Sequence, residues 1–408
     1  MQIKPREYEK EIEQIAKSAQ AADAKKIKEG KYDKEVEQII KLREDSLRWT
    51  RAYFGDNIVN KARSKGINVQ TATGLALQQE QAYKEVDKLI HAKVKKLQQI
   101  MNPTANIVLT KQEDIYSKKK GISIMSGKGT GKDFWVAHLA HKLLNTLPDC
   151  HIVVTANTEV QLKNVFWTEF KDIAYLARKA SDDPDEHETV ITKMFDIQSE
   201  KASCRDPAHP KWFMEAIVSK KQAKQQNGQD VQHAATSGRH EKYLIFLIDE
   251  ASHIEDSVFK DFEDTMTGAV NFMIIIFNPK RSRGYAIETQ NKDNDQWIKL
   301  RWNAEESEIV VNKQLHVDME NKYGGKNSNP YRISVLGLPP LTESDNLFPA
   351  DWIEDAKNRE LSYTENDPLI MGFDVGGGVD PSVIGSRRGG NVKDFGFDVN
   401  KEADSNKV

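Results

Sequence analysis

Between about residue 105 and residue 300, short apolar runs alternate with amphipathic stretches. Ile122–Met125, His151–Thr155, Lys211–Val218, Tyr243–Ile248 and Phe272–Phe277 read as strands. Tyr243–Ile248 has no polar position at all, the pattern of a strand buried on both faces of a parallel sheet. Asp133–Leu147 reads as an apolar helix. Strands separated by helices predict an α/β fold with a mainly parallel sheet.

Before this region, Ile12, Ile15, Ala16, then Val36, Ile39, Ile40, then Ala82, Val86, Leu89, Ile90, Val94 and Leu97 recur at helical spacing among Lys and Glu. They predict a charged helical lobe packed on one side. A basic arm meeting DNA or a partner is the other reading, and Lys93, Lys95 and Lys96 are its support. Asn102-Pro103 breaks the last helix. The charged stretch 178–210, with SDDPDEHE and CRDPAHP, predicts a surface loop. From 297 to 365 the pattern is mixed, punctuated by Pro339-Pro340 and Pro349, and Leu369–Val375 reads as a last strand. The expected segments are a helical lobe at 1–104, an α/β domain at 105–300, a linker subdomain at 301–366 and the start of another domain at 367–408.

The 408 residues suffice for two or three domains. Lys and Arg total 59 against 62 Asp and Glu, so net charge by itself does not announce a nucleic-acid binder. No apolar run is long enough to span a membrane. The N-terminus lacks the apolar core of a secretion signal, and two cysteines, Cys150 and Cys204, suit a reducing compartment.

Ser126-Gly127-Lys128-Gly129-Thr130-Gly131-Lys132-Asp133 follows a predicted strand and opens a predicted helix, the context of a phosphate-binding P-loop. Glycines let backbone N–H groups close around phosphate oxygens, and the helix start adds partial positive charge. Lys132 is placed to reach the β- and γ-phosphates of ATP. Ser126 replaces the usual first glycine. Asp133 stands where a Ser or Thr hydroxyl usually binds Mg²⁺, and a carboxylate can ligate that ion as well.

The strand Tyr243–Ile248 ends in Asp249-Glu250. Asp249 at the strand tip can hold Mg²⁺ through water, and Glu250 can polarise an attacking water as general base. Asn278, in Asn-Pro after the next strand, offers an amide to sense the γ-phosphate, or simply starts a turn. Gln112 offers an amide to read adenine.

The ordered series LTKQEDIY, SGKGTGKD, TANTEVQLKNVFWTEF, GRHEKYLIFLIDEASHI, IIIFNPKRSRGY, YRISVLGLPP and GFDVGGGVDPSVI resembles the large terminase subunit of tailed bacteriophages, a DNA-packaging motor and nuclease. The resemblance runs from about Leu109 onward. It implies a RecA-like ATPase core, a small linker lobe and a ribonuclease H-like domain beginning near 367. It also implies Mg²⁺ and ATP, double-stranded DNA, a small terminase subunit, the portal protein of a procapsid, a homo-oligomeric ring on that portal and a place in the host cytoplasm. Lys128 takes the place of an arginine acting on the phosphates within the subunit, without its bidentate fork. Arg239 matches an arginine that reaches a neighbouring subunit's nucleotide. Asn278 matches the coupling motif and Gln112 the adenine motif.

Asp374 matches the first metal-binding acid of the nuclease, and Asp380 falls in the following turn. A two-metal nuclease needs further carboxylates, and those downstream, Asp394, Asp398, Glu402 and Asp404, follow no recognisable pattern. The expectation is a nuclease domain cut off early and inactive. Lys220, Lys221 and Lys224 are candidate phosphate contacts on DNA, or an ordinary solvated loop. The rival functions are a helicase or remodeller, which needs a second RecA-like lobe, and a nucleotide-binding module that does not hydrolyse, motivated by Asp133.

Overall fold

The computed structural model describes residues 33–177, 193–198, 200–218, 243–341, 355–356, 358–374, 382–391 and 397–400. The chain divides into two compact units, Met1–Leu341 and Thr342–Val408. Ile12, Ile15, Ala16, Arg239, Asp380, Lys220, Lys221 and Lys224 lie outside the described residues.

The first unit is built on an eight-stranded sheet. Its strands are β1 (Gly121–Ser126), β2 (Cys150–Ala156), β3 (Phe195–Ile197), β4 (Lys201–Cys204), β5 (Phe213–Val218), β6 (Tyr243–Asp249), β7 (Phe272–Phe277) and β8 (Trp297–Trp302). Across the sheet the order is β3-β4-β5-β2-β6-β7-β1-β8. From β5 to β8 all neighbours are parallel, and β3 and β4 extend the sheet by antiparallel pairing. The expected α/β class with a mainly parallel sheet is borne out.

Two stretches depart from the expectations. Part of the charged 178–210 stretch is strand, not loop: β3 and β4 are short, and they gain their hydrogen bonds by pairing β4 with β5 and β3 with β4. β8 lies in the stretch that had no clear pattern. It pairs in parallel with β1 from Gly121↔Trp297 to Ser126↔Trp302, and as an edge strand it carries Lys299 and Arg301 among its apolar positions.

Successive residues of a strand face opposite sides, so the continuous apolar runs supply two cores. Ile245, Leu247, Ile274 and Ile276 face one layer with Trp49, Tyr83, Leu89, Trp135 and Leu139. Leu244, Phe246, Ile248, Met273 and Ile275 face the other with Phe259 and Phe262. The first layer is helical. It includes α1 (Asp33–Lys41), α2 (Ser46–Phe54), α3 (Asn57–Ser64), α4 (Leu77–Met101), α5 (Lys111–Ser117), α6 (Lys132–Thr146) and α7 (Trp167–Leu176); α8 (Asp256–Thr265) lies on the other side.

The helix α4 holds the apolar positions read from its sequence in the sheet's own core: Ala82, Val86, Leu89 and Ile90 are all buried. Polar groups bind the same layers. The Asp87 carboxylate on α4 accepts from the Ser46 N–H at 2.9 Å and from the ammonium of Lys142 on α6 at 3.3 Å. The hydroxyl of Tyr83 meets Nδ1 of His138 on α6 at 2.5 Å. Lys93, Lys95 and Lys96 do not form a free basic face. Lys93 is buried and donates to the Ser117 carbonyl, Lys95 pairs with Glu113, and Lys96 donates to Gln99.

The second unit carries an antiparallel sheet in the order β11-β10-β9, with β9 (Leu369–Asp374), β10 (Ser382–Arg388) and β11 (Phe397–Asn400). Leu369, Met371 and Phe373 of β9 are exposed. Among the described residues no helix is long and apolar enough to cross a membrane.

Burial has a consequence for acid stability. His138 and His141 on α6 are fully enclosed, and desolvation lowers their pKa values to about 3 and about 4. In the unfolded chain both titrate near 6.5, so below that pH the unfolded state binds more protons than the folded one and stability falls as pH falls. The unfolding free energy should drop by about 1.4 kcal/mol per pH unit for each histidine below about pH 6. Urea unfolding between about pH 7 and pH 5 measures this; a flat profile would contradict the neutral burial of both rings.

Candidate active site

The parallel strands β1, β6, β7 and β8 bring their carboxyl ends to one edge, where open α/β sheets bind ligands. The register pairs Met125 with Phe277, Asp249 with Ile276 and Ser126 with Trp302. Residues far apart in sequence, Ser126–Asp133, Asp249-Glu250 and Asn278, are therefore adjacent.

The P-loop leaves β1 at Ser126 and enters α6 at Lys132. Gly129 and Gly131 have φ of +75° and +72°, a left-handed backbone that glycine adopts without penalty. The hydroxyls of Ser126 and Thr130 lie 2.6 Å apart and close the loop internally. The backbone N–H groups of Gly131, Lys132 and Asp133 find no acceptor among the described residues. The start of α6 thus presents unsatisfied donors, as an anion site requires.

The Lys132 ammonium lies 2.7 Å from Glu250, 3.1 Å from Asp249 and 3.3 Å from Asp133. Burial disfavours its charge, but the three carboxylates outweigh burial and raise its pKa. Burial holds the Asp249 carboxyl above its ordinary range, against the pull of Lys132. Burial acts on Glu250 in the same sense, but Lys132 outweighs it, so this carboxylate stays ionised below the usual range. Glu250 has φ +51°, rare for a side-chain-bearing residue and of the kind that collects at functional sites. Its Oε2 is buried without a hydrogen-bond partner among the described residues, with His253 Nδ1 3.8 Å away.

Asn278, buried at the end of β7, donates from Nδ2 to the Ser126 carbonyl at 2.5 Å. Its own carbonyl accepts from the Ser252 hydroxyl at 2.9 Å, just beyond Glu250. This residue therefore joins the P-loop to the acidic strand end. The Lys128 side chain is exposed and unpaired among the described residues. Gln112, on α5, lines a cavity of about 390 Å³ with Glu44, Asp87, His91, Glu113 and Tyr116, and no P-loop residue borders that cavity. Asp374 ends β9 and is exposed, and among the described residues no group of three or more His, Cys, Asp or Glu could hold a metal ion.

Sequence reasoning missed the residues that brace the loop from outside. The Gly127 N–H donates to the Trp302 carbonyl at 2.8 Å, and the Lys128 N–H to the Ser334 carbonyl at 2.7 Å. Ser334 lies in a short π-helical turn, Arg332–Leu336, whose Val335 packs with Ala304 and Tyr331. Gln79 of α4 donates to the carbonyls of Thr130 and Gly131.

Gly127 and Gly337 allow this close packing. A Cβ on Gly127 would sit 2.5 Å from the Val335 carbonyl oxygen. Gly337 has φ +62°, and a Cβ there would lie 2.9 Å from both the Gly127 nitrogen and the Trp302 oxygen. Alanine at either position should lower the unfolding free energy by about 1–3 kcal/mol, read as a reduced urea midpoint with an unchanged slope. Parental midpoints for both variants would refute this packing.

No family model matches the chain. It is 26% identical over 272 residues to the probable terminase large subunit of Enterobacteria phage P7, a match covering 64% of this chain and 51% of that protein. The chain thus spans about half the length of the curated relative it matches. Among solved structures, the large terminase of a thermophilic bacteriophage is similar over 72% of this chain and 64% of that one, with TM-score 0.40 and 12% identity. The large terminase ATPase domain of Thermus phage P74-26 is similar over 57% and 93%, with TM-score 0.39 and 12% identity. The motif series and the sequence likeness point the same way: this chain resembles the large terminase subunit of tailed bacteriophages.

Proposed function

We propose that this chain is an ATPase that drives double-stranded viral DNA into procapsids, as a terminase large subunit. The observation that carries this reading is the meeting of Lys132 from the P-loop with Asp249 and Glu250 from the end of β6. One group can neutralise a polyphosphate, one can hold its metal, and one can activate water.

In this mechanism the free N–H groups at the start of α6 and the Lys132 ammonium bind the β- and γ-phosphates of ATP. Asp249 and Asp133 would hold Mg²⁺, which supplies neutralisation of charge on the phosphate oxygens. The donors fit that role: both are carboxylates beside Lys132, and Asp133 is half-exposed. Glu250 accepts a proton from the attacking water. Its unpartnered Oε2 is a suitable acceptor, and its lowered pKa keeps it ionised. Asn278 reports the state of the loop to the neighbouring strand end through its bond to Ser126. Lys128 would add charge to the phosphates, Gln112 would read adenine, and Arg239 would act on a neighbouring subunit's nucleotide within a ring.

The same reading gives the chain its partners: double-stranded DNA, a small terminase subunit and a portal, in the host cytoplasm. Lys220, Lys221 and Lys224 would touch DNA phosphates. On the same reading this chain would not cleave DNA: Asp374 and Asp380 are the acids that the nuclease motif supplies, and a two-metal site needs further carboxylates.

Glu250→Gln tests the chemistry. ATP affinity should be retained while turnover falls about 10²-fold or more, the scale of a lost general base, and hydrolysis by the parent should rise when DNA is added. Near-parental turnover in the variant would remove Glu250 from the mechanism.

A further inference from the structure

The P-loop residues that face a phosphate are read from the loop itself, but the loop's shape is held from another element. Gln79 lies one turn into α4 and is 1% exposed. Its Oε1 accepts the N–H of Ala76, the residue that starts the helix, at 3.1 Å. An alanine there offers no side-chain acceptor in return, so this is half of a capping box. The consequence is that the amide is held by its own helix, with Nε2 turned outward. Nε2 donates to the carbonyl of Thr130 at 3.2 Å and to that of Gly131 at 3.1 Å.

These two carbonyls belong to the peptide units that carry the N–H groups of Gly131 and Lys132. In a planar trans peptide the C=O and the N–H point in opposite directions. A donor that holds both oxygens on the α4 side therefore turns both N–H groups to the other side, where they have no acceptor among the described residues. The Gly131 carbonyl is shared with the Trp135 N–H at 3.0 Å, whereas among the described residues the Thr130 carbonyl is held by Gln79 alone, next to a glycine whose missing Cβ restrains the backbone little. The space is also closed: a Cβ on Gly131 would lie 2.8 Å from Gln79 Nε2 and 2.9 Å from Ile309. The start of α4 is itself fixed on its far side. The Leu77 N–H donates to Glu308 at 3.0 Å, and Gln78 donates to the Asn303 carbonyl at 3.0 Å.

We infer that Gln79 is a positioning residue for the phosphate site: it presets the Gly131 and Lys132 peptide planes so that their N–H groups converge on the polyphosphate of the nucleotide. It touches neither substrate nor reacting atoms. The inference rests on the ATP-binding reading above.

Gln79→Glu keeps the acceptor for Ala76 and the shape of the side chain but replaces the donor with an acceptor facing two carbonyls. Gln79→Met removes the donor without adding charge. Binding of Mg·ADP and Mg·ATP is followed by fluorescence of a labelled nucleotide, with thermal unfolding measured on nucleotide-free protein. Both variants should bind each nucleotide at least about tenfold more weakly, the scale of lost hydrogen bonds to a charged ligand. The nucleotide-free unfolding temperature of Gln79→Met should stay within a few degrees of the parent's, since one hydrogen-bonding side chain is a small part of the stability, whereas that of Gln79→Glu should fall further because a buried carboxylate would face two carbonyl oxygens. Lys132→Ala separates the two claims. If the parent binds and Lys132→Ala does not, the site reading stands, and parental affinity in either folded Gln79 variant overturns this inference alone. If the parent binds neither nucleotide, the site reading and the inference fall together. If Gln79→Glu does not fold, Gln79→Met decides.

Discussion

One ion-pair cluster organises the functional edge of this molecule: the Lys132 ammonium shared among Asp249, Glu250 and Asp133. Lys132, Asp249 and Glu250 are largely enclosed, and enclosed charges are stable only when paired. The lysine arrives from the helix after β1 and the two inner acids from the end of β6, with β7 between those strands. Their meeting thus depends on sheet register and on the bond from Asn278 that ties β7 to the loop. Three carboxylates around one ammonium leave an excess of negative charge, which in the proposed function a divalent cation would offset. A polyphosphate bound there would compete with the acids for Lys132. On that proposal the contacts that hold the lysine are those that would open on binding.

The rest of the first unit holds this edge rigid. The glycines of the loop have the left-handed backbone that lets N–H groups converge, and that freedom must be restrained from outside. Three braces do so: the Trp302 carbonyl at the end of β8, the Ser334 carbonyl, and the Gln79 amide on α4. The helices before β1 consequently share one core with the P-loop helix, through Tyr83, His138, Asp87 and Lys142.

Much of this was legible in the sequence. Buried parallel strands write themselves as unbroken apolar runs, so β6 and β7 were plain, and the P-loop is a contiguous string whose chemistry is local. Asp249-Glu250 followed from the strand that ends there. The braces were not legible. Gln79 occupies a position where a glutamine ordinarily serves its own helix, and its outward donor becomes meaningful only when α4 and the loop are side by side. β8 carries Lys299 and Arg301 because it is an edge strand, which blurs its pattern. β3 and β4 are too short to write a period at all, and their strand geometry comes from β4 pairing with β5 and β3 with β4.

The most direct test of the central claim is a crystal structure of this chain with Mg²⁺ and a non-hydrolysable ATP analogue. The account predicts that Lys132 Nζ leaves Glu250 and lies about 3 Å from a phosphate oxygen, with the Gly131 and Lys132 N–H groups on the same phosphate chain. A structure with nucleotide bound elsewhere, and Lys132 still held by Asp249 and Glu250, would contradict it.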